Sequence, residues 1–132
     1  MEQFAIRVRA SFPDVVAWVT EALREQGFGV LTKIDLQETL RTRLGVQMER
    51  YLILGACNPV LARRALAVDP SVGVVLPCNV VLREDDESII VETVAPVRLL
   101  AATGNPGLEP LAADAARRLS AALDAVASVA GG

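Results

Sequence analysis

Two thiols are the residues of this 132-residue chain best suited to chemistry. Cys57 and Cys78 are its only cysteines, and each is followed by asparagine, in Cys57-Asn58-Pro59 and Pro77-Cys78-Asn79. Thiolate, rather than thiol, is the nucleophile, and a helix N-terminus or neighbouring cations stabilise it. Asn58 suits an N-cap and Pro59 the first helical position, which needs no backbone N–H. Cys57 therefore stands just before a helix start, with Arg63 and Arg64 further along that helix. It is the candidate reactive thiol, and Cys78 its candidate resolving partner. The plainer reading is space filling, because free cysteine is among the most buried residue types. That reading is stronger for Cys78, which shares an apolar row with Val74, Leu76, Val80 and Leu82.

The chain has no histidine. This removes the commonest general base and a common metal ligand, and excludes Ser-His and Cys-His pairs within the chain. Two thiolates alone rarely complete tetrahedral zinc, so no metal site is expected. Asn58 and Asn79 suit caps and turns, and their amides would also suit a small polar pocket. Lys33, the single lysine, is either a solvated strand position or an anion contact near the helix that Asp35 begins; the Asp35 carboxylate opposes the second role. Glu92 is the lone acid of an apolar strand. The acids Glu84, Asp85, Asp86 and Glu87 read as a solvated hairpin turn rather than a metal site.

The elements that must position these residues are legible in their periodicity. Phe4–Ala10 alternates as a strand. Ser11 and Pro13 open a helix with Val15, Val16, Val19, Ala22 and Leu23 as its stripe and Trp18 at the stripe's edge; Gly27 ends it. Phe28–Ile34 is a second strand, expected to share Phe28, Val30, Thr32 and Ile34 on one face. Asp35 and Glu38 cap a short helix striped by Leu36, Leu40 and Leu44 and closed by Gly45. Met48–Cys57 is a third strand, with Leu52, Leu54 and Ala56 on one face and Tyr51, Ile53, Gly55 and Cys57 on the other. A helix then runs to Val68 and stops at Asp69-Pro70. Gly73–Arg83 reads as a fourth strand, with Pro77 marking an edge or a bulge. Ser88–Ala95 is a fifth. After a loop at Thr103–Gly107, Pro110 opens a last helix with Leu111, Ala115, Leu119, Ala122, Leu123 and Val126 at helical spacing; Gly131-Gly132 follows. The class is α+β: a β-α-β(4)-α curved, mainly antiparallel sheet, two longer helices on one face and two short extra helices, in a single domain over residues 1–132.

Three segments in this order are familiar. Residues 27–35 (Gly27-Phe28-Gly29 to Asp35), 54–59 (Leu54-Gly55-Ala56-Cys57-Asn58-Pro59) and 73–80 (Gly73 to Val80, with Pro77-Cys78-Asn79) resemble the bacterial and archaeal family called domain of unknown function 302. The resemblance runs from Val8 to the final helix. It implies a fold similar to TATA-box-binding-protein-like α+β sheets and singles out Cys57, Asn58, Pro59, Pro77, Cys78 and Asn79 as the family motif. It assigns them no activity, and fold likeness does not carry function.

Composition bounds the partners. Net charge is −3 and no basic run exceeds two arginines, which argues against nucleic acid; at 4% aromatic residues, base-stacking platforms are not expected either. No run reaches the roughly 18 apolar residues of a membrane span, and the first residues lack the pattern of a signal peptide, so the expected location is cytoplasmic. In a reducing compartment the cysteines are expected to be free. Apolar residues make up 52% of the chain, an excess that predicts a homodimer. The leading functional expectation is a small, mostly apolar ligand held near Cys57, Asn58, Pro59, Pro77, Cys78, Asn79 and Lys33. The alternatives are thiol redox or transfer chemistry at Cys57 with Cys78, and a dimeric interaction module. No cofactor and no catalytic residue is assigned.

Overall fold

The computed structural model describes residues 2–131; Met1, and Gly132 from the expected chain end, lie outside the described residues. In chain order the elements are β1 (Ala5–Val8), α1 (Phe12–Glu25), β2 (Gly29–Asp35), α2 (Leu36–Leu44), β3 (Tyr51–Cys57), α3 (Pro59–Val68), a 3₁₀ segment (Pro70–Val75), β4 (Cys78–Asp85), β5 (Ser88–Thr93), α4 (Pro96–Ala101), a second 3₁₀ segment (Pro106–Leu108) and α5 (Glu109–Gly131). Side-chain caps set the helix starts, each satisfying an N–H that the helix leaves free. Ser11 Oγ accepts from the Asp14 N–H, Asp35 Oδ1 from the Glu38 N–H and Asn58 Oδ1 from the Leu61 N–H. Gly45, at φ +66°, closes α2 in a conformation that a Cβ would strain.

The five strands form one sheet in the order β1-β5-β4-β3-β2, and every neighbouring pair is antiparallel. One face is covered by α1 and α5. The core there joins Val15, Val19 and Leu23 of α1 and Leu119, Leu123 and Val126 of α5 to Leu54, Ala56, Cys78, Val80, Leu82 and Val91 of the sheet. Alternation places Tyr51, Ile53, Val81, Arg83, Ile90 and Glu92 on the other face, where they are half-buried.

The structure revises the sequence reading at four places. In β2 a bulge lies between Val30 and Thr32: Val30 pairs with Ala56 but Thr32 pairs with Gly55. The extra residue, Leu31, is 66% exposed and inverts the alternation, so Thr32 and Ile34 leave the face of Phe28 and Val30. The fourth strand starts at Cys78, not Gly73. Asp69 caps a 3₁₀ segment begun by Pro70, which buries Val72 and leaves Val74 87% exposed, so the apparent alternation before Pro77 has no ladder behind it. Pro77 is therefore neither an edge nor a bulge residue: it precedes β4, the central strand, after a cis Leu76–Pro77 bond. Finally, the structure adds α4. Its N-cap, Ala95, makes no side-chain hydrogen bond, so the usual start signal is missing and three short helices accompany α1 and α5, not two.

Candidate functional site

β3 ends at Cys57 and hands the chain directly to the α3 cap, while β4 begins at Cys78 directly after Pro77. The pairing of Ala56 with Cys78 sets the end of one strand against the start of the other. The two Cys-Asn segments, separate in sequence, thereby meet at one end of the sheet. Between this sheet end and the helices lies an apolar cavity of about 50 Å³, bordered by Cys57, Asn58, Pro77 and Cys78. Its walls also include Phe28 and Ala56 of the sheet side, Leu61 and Ala65 of α3, Pro96 and Leu100 of α4, and Leu111 and Ala115 of α5.

Both thiols are free. Cys78 is buried, and burial first, then the nearby Cys57 charge, pushes its pKa up to about 11. It is thus a neutral thiol and a poor nucleophile at neutral pH. β3 and β4 are neighbours, as a cysteine couple requires. Cys78 pairs with Ala56, so the two cysteines are offset by one residue in the ladder, and both border the same cavity.

Asn58 is 7% exposed and its side chain is committed to the fold. Besides capping α3, its Nδ2 donates to the Gln26 carbonyl at 3.4 Å, joining the start of α3 to the end of α1. Arg118 of α5 donates to the same carbonyl. Gly27, at φ +87°, makes room for this: a Cβ there would stand 3.0 Å from Asn58 Nδ2. Gly55 is the other close approach, because a Cβ would collide with Thr32 Oγ1 and stand 3.0 Å from Pro77 Cγ.

The remaining candidates lie elsewhere. Pro59 is exposed at the first position of α3 and does not border the cavity. Asn79 pairs with Gly55 and borders a wide depression of about 810 Å³ with Val81, Glu92 and Arg98. Lys33 is exposed on the edge strand, paired with Leu54, and borders neither space. Glu92 is not alone, since its carboxylate accepts from Arg83 Nε at 2.8 Å. Among the described residues, no three His, Cys, Asp or Glu side chains are grouped to hold a metal ion. The sequence reading does not single out Phe28, Leu61, Ala65, Pro96 and Leu100, which line the cavity. Apolar residues at helical or strand spacing read as core, and nothing local distinguishes a cavity wall from a filled interior.

The comparisons agree with this architecture. No match is found among curated proteins. The chain is similar to a solved structure described as "uncharacterized conserved protein DUF302 from Bacillus stearothermophilus": 30% identity, a TM-score of 0.87, and coverage of 93% of this chain and 96% of that one. The family model described as "Domain of unknown function DUF302" matches residues 4–126, nearly the whole chain, and the protein belongs to that family.

Proposed function

We propose that this chain is a small-ligand-binding domain whose site is the crevice at the end of β3 and β4. One observation carries the reading: Cys57, Asn58, Pro77 and Cys78, from two separate segments, border a single apolar cavity with α3, α4 and α5. Its walls favour an apolar guest, each Å² removed from water contributing roughly 25 cal/mol. The volume is about 50 Å³. A cavity of ~150 Å³ accommodates benzene, so this one suits two or three carbon atoms, either a very small molecule or the end of a longer one. The Asn58 amide is occupied by the cap and by Gln26, and Cys78 is a neutral thiol, so shape rather than charge does the selecting. No catalytic step is assigned.

Xenon is a suitable probe because it enters dry apolar cavities. In ¹²⁹Xe NMR the native protein is expected to shift the xenon resonance in a saturable way. Ala115→Leu, which places extra carbons into the space, is expected to abolish the shift while the circular dichroism stays native. An unchanged shift in a folded Ala115→Leu variant overturns the reading.

We also propose a homodimer, with the whole chain acting as one domain in a reducing, cytoplasmic setting that suits two free thiols. The supporting observation is the sheet face opposite α1 and α5, where Ile53, Val81 and Ile90 are only half-buried and Ile34 is 47% exposed. Such a face is a natural seat for a second copy.

A further inference from the structure

We infer that the crevice is the inner end of a longer slot gated by Leu100, and that its occupant is an unbranched aliphatic chain with a hydrogen-bond-donating, non-anionic head. The inference rests on the ligand-binding reading above and extends it. Leu100 borders two spaces at once: the inner cavity of about 50 Å³ and an outer cleft of about 460 Å³ between α4 and α5. α5 runs past both, with Leu111 and Ala115 in the inner wall and Ala112 in the outer one. Leu100, buried on the six-residue α4, is the residue common to the two linings. Leucine changes rotamer without breaking a hydrogen bond, and α4 lacks a side-chain cap to pin its start. With Leu100 turned aside, the two spaces join into a slot within the roughly 300–1,000 Å³ range of small-molecule sites.

The walls select the occupant. The inner end takes only two or three carbons and offers no free polar partner. The outer cleft has Glu109 as its one charged wall residue. The side chain of Asn105, also in that wall, is already engaged, accepting from the Gly107 N–H at 2.9 Å and donating to Asp69 Oδ2 at 3.4 Å. The Glu109 carboxylate accepts hydrogen bonds and repels an anion, so a hydroxyl head fits where a carboxylate does not.

Calorimetric titration of the full chain with n-octanol and n-octanoate tests this, with xenon reporting on the inner cavity. Octanol is expected to bind and to displace xenon, and octanoate to bind about tenfold more weakly. Glu109→Gln should bring the two affinities within about threefold. Leu100→Ala should tighten octanol. Ala101→Trp, at an exposed residue of the outer cleft, should block octanol while leaving xenon binding intact, and it does so without disturbing the core. If xenon enters but octanol neither binds nor displaces it, or if Ala101→Trp leaves octanol binding unchanged, the slot is overturned while the inner site stands. Equal binding of octanoate overturns the head-group assignment. Absence of both xenon and octanol binding overturns the slot and the ligand-binding reading together.

Discussion

At the scale of single residues, Cys78 has a measurable signature. Its pKa is pushed up to about 11, chiefly by burial, whereas in the unfolded chain it returns to the ordinary thiol range. Between about pH 9 and 11 the unfolded chain releases a proton that the native chain still holds. Stability from this group is therefore complete below about pH 9 and falls as pH rises through that window, by roughly 2–3 kcal/mol at the upper end. Urea unfolding at pH 7.5, 9 and 10.5 should show this loss in the native protein and a flatter profile in Cys78→Ala. Parallel profiles would mean that Cys78 is not buried in this way. The same shift separates Cys78 from thiol chemistry at neutral pH, because a thiol that rarely ionises resolves disulfides slowly.

At the scale of elements, α3 is the wall that the Cys57-Asn58-Pro59 segment builds. Its placement depends on Asn58, which caps the helix through Oδ1 and holds the end of α1 through Nδ2. Removing a cap of this kind costs about 0.5–2 kcal/mol, and here a buried tie is lost as well. Asn58→Ala should therefore lower the unfolding free energy by about 2 kcal/mol. Asn58→Asp keeps the cap acceptor but sets a carboxylate oxygen against the Gln26 carbonyl in place of the Nδ2 donor, so it too should be destabilising at neutral pH. Equal stability of Asn58→Ala and the native protein in urea titration would show that the cap does not hold α3. The bulge in β2 is a second device at this scale. By turning Thr32 over Gly55 it seals the sheet beside Pro77, and Gly55 is the residue whose missing side chain permits the contact.

At the scale of the whole molecule, the two faces of the sheet differ in what they lack. The α1–α5 face has a closed core. The opposite face carries a row running Ile34, Ile53, Val81 across β2, β3 and β4, followed by Glu92 of β5, which Arg83 engages. Five strands at ~4.8 Å spacing with about six residues each give roughly 500 Å² in projection, enough for much of a standard interface of about 800 Å² per partner. Sedimentation of the native protein at tens of micromolar should give a dimer, and Ile53→Glu a folded monomer. A native protein that sediments as a monomer removes the proposal. No helix among the described residues is long and apolar enough to cross a membrane.

The sequence by itself determined what is local. Ser11, Asp35 and Asn58 announced their helices because a cap acts within one turn of the residue that supplies it. The stripe from Leu111 to Val126 announced α5 because burial on one face imposes helical spacing. The motif around Cys57 and Cys78 was legible as residues, as was the α+β class. Only the tertiary structure decided what depends on distant pairing. The register of Ala56 on Cys78 brought the two segments together around one cavity. It also carried Asn79 to a different depression and left Lys33 outside both spaces, while folding β4 against β5 gave Glu92 its arginine. The walls of the crevice come from residues whose types are those of any core. Whether such residues enclose a space or fill it is set by how helices and sheet meet, and one-dimensional spacing does not carry that information.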